Sequence, residues 1–166
     1  MSKIAIRGYT QRHIISDEGT NGSHRFTPLT HDRVFVFDTE TTVDHYQNLK
    51  IGYFKVYQSG YLQQHGLFYD PSMLDEKETQ ILKTYAESEG IPLYDVGTFI
   101  EAVFYPEVFS QRALCVGFNL AFDLSRLAYD VGQSRKQNLG GFTLHLSAKQ
   151  WNPPIIIKKL GSSHAM

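Results

Sequence analysis

One stretch of sequence decides the fold, VFVFDTETT at residues 34–42. Its first four residues are β-branched or aromatic without interruption, a pattern that is typical of a central strand buried on both faces. The apolar run ends in Asp38. Because side chains two residues apart on a strand share a face, Asp38 and Glu40 should project together from the end of this strand.

Two carboxylates at the edge of a core repel each other, and burial raises their pKa unless a cation compensates. Hard oxygen ligands of this kind suit Mg²⁺ or Mn²⁺, particularly where a substrate phosphate completes the coordination shell. The alternative is a charged strand end that enters a solvated turn. For an isolated Asp-x-Glu pair, that alternative is the better interpretation.

Further elements are predicted on the carboxyl side of this strand. Strands at 51–57 and 61–68, joined by turn residues 58–60, suggest an antiparallel meander. A helix over 75–89 has acids in its first turn and Gly90 just beyond it. A second helix begins near Asp95, and Pro106 should stop it. Its buried stripe comprises Val96, Phe99, Ile100, Val103 and Phe104.

A short strand at 113–118 then leads directly into a helix over 119–130, which Asn119 should cap. A hairpin is predicted from 141–147 and 155–159. The pattern predicts an α/β fold, a mixed sheet flanked by helices, with the chemistry where strand ends meet helix starts. Residues 1–32, with a short strand at 4–6, are interpreted as a flexible N-terminal extension and 33–166 as the domain.

Asp123 is a third candidate carboxylate, in the first turn of the helix after the short strand. It falls beside the apolar stripe of that helix, so its carboxylate can reach the edge of the core. The alternative is that Asp123 favours the helix dipole and pairs with Arg126. Asp130 is also placed to pair with Arg126.

Two segments together resemble a known family. VFVFDTETT and residues 116–127, VGFNLAFDLSRL, resemble the first two motifs of the DEDD 3′-5′ exonucleases, the proofreading branch of the ribonuclease H-like fold. Residues 140–144, GGFTL, and 153–158, PPIIIK, are similar to a subgroup related to the exonuclease domains of family B DNA polymerases.

The resemblance implies a ribonuclease H-like α/β fold and a two-metal site occupied by Mg²⁺ or Mn²⁺. By this implication Asp38 bridges both ions, Glu40 binds the first and Asp123 holds the second. Thr41 and Phe122 would line the pocket for the terminal nucleotide, beside Asn119. Two such cations suit phosphodiester cleavage, because one activates water while the other stabilises the leaving 3′ oxygen.

Exonucleases of this family carry a fourth carboxylate on a later helix, and this sequence has no Asp or Glu after Asp130. Asp130 is a poor substitute because seven residues of helix separate it from Asp123. Neither His145 nor His164 has a carboxylate near it in the sequence. We therefore expect a fold that is incomplete at its C-terminal end, or a complete but degenerate one. An exposed last strand would invite a partner chain or a homodimer.

Charge is distributed unevenly although the formal net charge is −1. All 17 acidic residues precede residue 131, and the bases beyond it are Arg135, Lys136, Lys149, Lys158 and Lys159. With Trp151 and Phe142 between them, these bases could form a path for single-stranded nucleic acid, or an ordinary solvated surface.

Composition and the first residues of the chain bear on its cellular compartment. No window approaches the ~18 apolar residues of a membrane span, and the first residues lack the apolar centre of a secretory signal, so the expected compartment is the cytosol. The single cysteine, Cys115, lies in an apolar run and should be a small buried hydrophobe.

Three functions are weighed. The leading hypothesis is a metal-dependent 3′-5′ exonuclease domain or fragment that acts on the 3′ end of DNA, with RNA as the other possible substrate. The first alternative is an inactive nuclease-fold module that binds single strands. The second is a haloacid-dehalogenase-like phosphatase with Asp38 as nucleophile, although that signature expects Asp at position 40 and gives no role to residues 119–123.

Overall fold

The apolar stretch at residues 34–37 forms the centre of a nine-residue strand, β1 (Arg33–Thr41), in a computed structural model that describes residues 32–133 and 141–157. The predictions for residues 1–31 lie outside the described residues. Phe35, Phe37 and Thr39 are buried, whereas Asp38 and Glu40 are exposed. The prediction that β1 is buried on both faces is therefore wrong, because the core covers one face of the strand and leaves the other partly open.

The predicted antiparallel meander is confirmed. β1 pairs antiparallel with β2 (Leu49–Gln58), and β2 pairs antiparallel with β3 (Tyr61–Tyr69). The tight turn between β2 and β3 needs positive φ values of 52° at Ser59 and 81° at Gly60. Glycine adopts such values without steric cost, which explains its place in the turn.

Two short strands add parallel pairs to this meander. β4 (Leu93–Asp95) pairs with β3, and β5 (Leu114–Val116) pairs with β1. The sheet therefore has five strands in the order β4-β3-β2-β1-β5. The short strand predicted at 113–118 is confirmed over residues 114–116. β4 was not predicted, since three residues before a helix carry too little periodicity to show it.

The first predicted helix is α1 (Glu76–Glu89), which lies between β3 and β4. Asp75 accepts a hydrogen bond from the backbone N–H of Glu78, and the Glu78 side chain accepts one from the N–H of Asp75. This reciprocal pair satisfies two backbone donors that the first helical turn leaves free. Gly90 ends the helix in the left-handed conformation.

The second predicted helix starts as expected but does not end as expected. Asp95 caps α2 (Val96–Phe99) through the N–H of Thr98, and a π-helical segment, Ile100–Ser110, continues it. Pro106 lies inside this segment, so the prediction that it stops the helix is wrong. In an α-helix the proline ring would clash with the carbonyl four residues earlier. The segment is instead wound as a wider π-helix, in which the N–H of Gln111 donates to the carbonyl of Pro106 five residues earlier.

The third helix is α3 (Leu120–Leu127), which is shorter than the predicted 119–130. Asp130 instead begins β6 (Asp130–Gln133), which pairs antiparallel with β7 (Phe142–His145). The pairing with β7 is nonlocal, so the helical periodicity could not reveal it. β7 also pairs antiparallel with β8 (Ile155–Ile157), which confirms the predicted hairpin and gives a second sheet, β6-β7-β8.

The core lies between the inner face of the large sheet and the elements that follow it. It contains six buried phenylalanines, Phe35, Phe37, Phe54, Phe68, Phe99 and Phe104. Leu124 and Leu127 of α3 and Leu144 and Ile155 of the second sheet belong to the same core. The architecture is thus α/β, with a mixed five-stranded sheet and flanking helices, and it brings α3 against β1.

Candidate active site at the junction of β1 and α3

The two acids of β1 lie on one face, as predicted. Asp38 and Glu40 are both exposed, and their cross-strand neighbours on β2 are Tyr53 and Ile51. β1 continues three residues beyond Asp38, however. Both acids therefore lie in the last part of the strand, which pairs with β2 as far as Thr41.

Asp123 occupies a very different environment. Its side chain is 2% exposed, and its Oδ1 accepts a 2.7 Å hydrogen bond from the hydroxyl of Thr39. Its Oδ2 has no hydrogen-bond partner among residues 32–133 and 141–157. Thr39 lies between the two acids of β1 but points to the opposite, buried face. A buried carboxylate with an unsatisfied oxygen is costly unless a positive charge or a proton compensates it.

The electrostatics of Asp123 follow from this position. Burial raises the pKa of Asp123, the hydrogen bond from Thr39 opposes that shift, and the negative charge of Asp38 raises it further, with a net increase. Asp38 contributes to this increase although it lies on the open face of β1, whereas Asp123 of α3 packs against the buried face through Thr39. Both causes favour a compensating cation or proton at Asp123.

Arg126 does not supply that charge. Its Nη1 donates to the backbone carbonyls of Tyr46 and Gln47, at 2.9 and 2.8 Å. The alternative interpretation, in which Arg126 pairs with Asp123, is therefore wrong, and the guanidinium is also engaged away from Asp130. Arg126 binds elsewhere because the tertiary fold brings two carbonyls of the β1–β2 loop within reach of its guanidinium, a contact that the spacing of residues in the sequence does not reveal.

The three predicted metal ligands, Asp38, Glu40 and Asp123, lie on two neighbouring elements, β1 and α3, but their side chains do not form one cluster among the described residues. In the part of the chain that the structure describes, no group of three or more His, Cys, Asp or Glu side chains is arranged to hold a metal ion. Asp123 and Asp38 suit a divalent cation by chemistry, since both are hard oxygen donors and one has an unpartnered buried oxygen. The arrangement of all three acids does not fit a two-metal site.

The residues predicted to bind nucleic acid occupy several environments. Thr41 is half-buried at the end of β1, and Phe122 is half-buried on α3, with the Arg126 guanidinium 4.9 Å from its ring centroid. Asn119 is exposed at the N-terminal boundary of α3. Its side chain makes no capping hydrogen bond, so the predicted cap is wrong. Its backbone carbonyl accepts from the N–H groups of Phe122 and Asp123 instead.

The predicted basic path is only partly described. Trp151 is 73% exposed in the connection between β7 and β8. Lys149 pairs with Glu101 at 2.7 Å and is thus partly neutralised. Arg135, Lys136, Lys158 and Lys159 lie outside the described residues, and the path stays a prediction.

Three residues at this junction were missed by sequence reasoning. Thr39 holds Asp123, Arg126 holds the β1–β2 loop, and Phe118 is a fully exposed phenylalanine directly before Asn119. The threonine between two acids was the one available signal, because a small hydroxyl residue on the opposite face of a strand can satisfy a buried acid. The sequence alone does not show which aromatic side chains will be exposed.

Other features of the molecule agree with the sequence. Cys115 is 5% exposed, and burial, followed by the charge of Asp123, raises its pKa to about 12. None of the helices among the described residues has the length and apolar character needed to cross a membrane.

No protein-family model, curated protein or solved structure matches the chain.

Proposed function

We propose that the chain is a metal-dependent 3′-5′ exonuclease domain, or part of one, that hydrolyses phosphodiester bonds at the 3′ end of single-stranded DNA. RNA is the alternative substrate, and the cytosol is the proposed compartment. The observation that carries this proposal is Asp123, a buried carboxylate with an unpartnered Oδ2 held against the strand that bears Asp38 and Glu40. Such a carboxylate requires compensation, and the nearest arginine on its own helix is engaged elsewhere.

The topology supports the ribonuclease H-like part of the proposal. β1 lies inside the sheet between antiparallel β2 and parallel β5, and β5 leads directly into α3. This arrangement places the acid-bearing strand beside the acid-bearing helix, which are the two elements that the sequence motifs occupy.

The proposed cofactor is Mg²⁺ or Mn²⁺, with Asp123 and Asp38 as protein ligands and Glu40 on the open face beside Asp38. A divalent cation bound at these two carboxylates would supply a Lewis acid that polarises a phosphoryl oxygen and lowers the pKa of a bound water. Thr39 fixes the orientation of the Asp123 carboxylate by its hydrogen bond to Oδ1, whereas Oδ2 is buried and has no hydrogen-bond partner among the described residues. Because three protein ligands are not gathered, phosphate oxygens of the substrate are expected to contribute to binding.

A cleavage time course tests the proposal. Purified protein is incubated with 5′-labelled single-stranded DNA, and separately with the corresponding RNA, in Mg²⁺, Mn²⁺ or EDTA. We expect a ladder that shortens from the 3′ end, requires the metal, and falls by about two orders of magnitude or more in Asp38→Asn and Asp123→Asn. Glu87→Gln removes an exposed acid of α1 and serves as the matched control. A ladder that persists in both Asn variants would contradict the assignment of the site.

A second candidate function is a nuclease-fold module that binds single strands without cleaving them. It is favoured by the absence of a three-acid cluster among the described residues and by three exposed aromatic side chains, Phe118, Tyr46 and Trp151. Aromatic side chains that face solvent can stack on unpaired bases. This candidate predicts binding of the labelled DNA in EDTA and no shortening in either metal.

The phosphatase hypothesis has weaker support. A nucleophilic aspartate is expected where a strand ends, whereas β1 continues beyond Asp38 in a hydrogen-bonded pair with β2. Hydrolysis of p-nitrophenyl phosphate that is lost in Asp38→Asn, without shortening of DNA or RNA, would favour it.

A partner chain or a second copy at the last strand remains part of the proposal. β8 forms one edge of the second sheet, and Ile156 at its centre is exposed. Light scattering after gel filtration, with the Ile156→Lys variant beside wild type, would detect a homodimer that depends on this edge.

A further inference from the structure

We propose that Arg126 is a positioning residue for substrate: it fixes the loop between β1 and β2, residues 42–48, which we infer to contact the unpaired strand. The inference rests on the proposed function and adds to it a loop and a residue for which the sequence motifs give no role. Arg126 does not touch the reacting atoms in this proposal, because it acts through the loop.

The contacts of Arg126 span two elements that are far apart in sequence. Nη1 donates to the carbonyls of Tyr46 and Gln47, and Nε donates to the hydroxyl of Ser125 at 3.2 Å. The guanidinium also lies over the Phe122 ring, 4.9 Å from its centroid. One nitrogen of the guanidinium thus binds two successive carbonyls of the loop, while the guanidinium itself lies over an aromatic ring of α3. Together these contacts fix the loop relative to α3.

The loop itself is closed by its own hydrogen bonds. Oδ1 of Asp44 accepts from the Thr42 hydroxyl and from the backbone N–H groups of Tyr46 and Gln47, at 3.1, 2.8 and 3.2 Å. The Thr42 N–H also donates to the Asn48 carbonyl at 2.9 Å. The loop is therefore expected to move as a unit, so contacts at Tyr46 and Gln47 are sufficient to place all of it.

The loop directly follows the acid-bearing strand and exposes apolar and aromatic side chains to solvent. It begins two residues after Glu40, Val43 is fully exposed, and Tyr46 is 66% exposed with its ring 3.9 Å from that of His45. Exposed aromatic rings with open faces stack on unpaired bases with little dependence on sequence. In this proposal a strand bound at Asp38 and Glu40 also contacts these side chains, since the loop directly continues β1.

Arg126 is expected to act on binding more than on the chemical step. β1 and α3 are already joined directly through Thr39 and Asp123, and both residues belong to the core. Loss of Arg126 leaves that link intact and releases the loop, together with the contacts to Ser125 and to the Phe122 ring on α3. The expected signature is a higher KM and a nearly unchanged kcat, which marks a loss of binding shared by ground state and transition state.

The test uses three variants of the full chain. Arg126→Ala removes all of the contacts, Arg126→Lys keeps the charge and one donor group, and Lys83→Ala removes an exposed charge on α1 as the matched control. Two readouts are taken for each: hydrogen exchange of the amides of residues 42–48, and the KM and kcat for shortening of 5′-labelled single-stranded DNA. Far-UV circular dichroism verifies that each variant is folded.

For Arg126→Ala we expect faster exchange in the loop and a KM raised by about tenfold, the factor that one charge-assisted hydrogen bond provides. Arg126→Lys should recover part of the KM, and Lys83→Ala should match wild type in both readouts. Unchanged loop exchange and unchanged KM in Arg126→Ala, with an active wild type, would overturn the role of Arg126 alone. A wild type that neither binds nor shortens the DNA would overturn the proposed function and, with it, the role of the loop.

Discussion

The hydroxyl of Thr39 donates a 2.7 Å hydrogen bond to the carboxylate of Asp123, although 84 residues separate the two in sequence. Thr39 is on the buried face of β1, between two acids that face solvent, and Asp123 is in the first turn of α3. This bond therefore joins the two motif-bearing elements from within the core. Its consequences for stability and reactivity can be measured.

The Thr39→Val variant should destabilise the protein by about 1–3 kcal/mol, because it removes the hydrogen bond to a buried carboxylate and adds no bulk. Urea denaturation followed by circular dichroism measures the change in the free energy of unfolding. Thr41→Val, two residues along the same strand and half-buried, is the matched control, expected to change stability by less than about 1 kcal/mol. Equal losses in the two variants would show that the bond to Asp123 contributes little.

The Gly52→Ala variant should lose about 1–3 kcal/mol of stability through overpacking. Gly52 is the cross-strand neighbour of Thr39, and an added Cβ would overlap the ring of Phe68. That ring cannot move freely, since it is buried and stacked on Phe99 with centroids 3.9 Å apart. Gly132→Ala, where an added Cβ meets no atom of the described residues within 4 Å, is the control for thermal and urea unfolding. A Gly52→Ala protein as stable as the control would contradict this packing.

Stability should fall in acid partly through Glu101. Burial raises the pKa of Glu101, but hydrogen bonds from Lys149, Ser147 and Asn152 and the charge of Lys149 outweigh it, so the pKa is lowered from its ordinary value of 4.5. A lowered carboxyl pKa in the folded state contributes stability above pH 4.5 that is lost as the pH falls through the folded value.

The Glu101→Gln variant should therefore show a flatter loss of stability below pH 4.5 than wild type, because the group that takes up the proton is absent. Chemical denaturation between pH 3 and 7 measures it. Glu89→Gln, at an exposed position near the end of α1, should keep the wild-type profile. Identical profiles for all three proteins would rule out Glu101 as a source of the acid sensitivity.

Cys115 should be nearly inert towards thiol reagents in the folded protein. Burial and the charge of Asp123 raise its pKa to about 12, and the side chain is 5% exposed. Since the thiolate is the reactive form, modification at pH 8 should be at least about a thousandfold slower than in urea-unfolded protein. Absorbance of the released aromatic thiolate from a disulfide reagent measures both rates. Comparable rates would mean that β5 opens readily.

Local patterns in the sequence predicted much of the fold. The meander of β1, β2 and β3, the capped helix α1, the cap at Asp95 and the β7–β8 hairpin all depend on neighbouring residues, so short-range periodicity and turn chemistry suffice to predict them. The shared face of Asp38 and Glu40 follows in the same way from the two-residue repeat of a strand.

Tertiary structure decided the rest. Asp130 pairs with His145 in a sheet, so α3 ends early, and Pro106 lies inside a π-helical segment. Two loop carbonyls, rather than Asp123 or Asp130, accept the hydrogen bonds from Arg126 Nη1. Each outcome depends on which distant backbone groups and side chains come into contact, a choice made by burial of the common core. The sequence by itself determined which residue types could bind a cation. Only the tertiary structure decided that Asp123 is buried and bound to Thr39 while Asp38 and Glu40 face solvent, because the face of β1 that the core covers is set by packing.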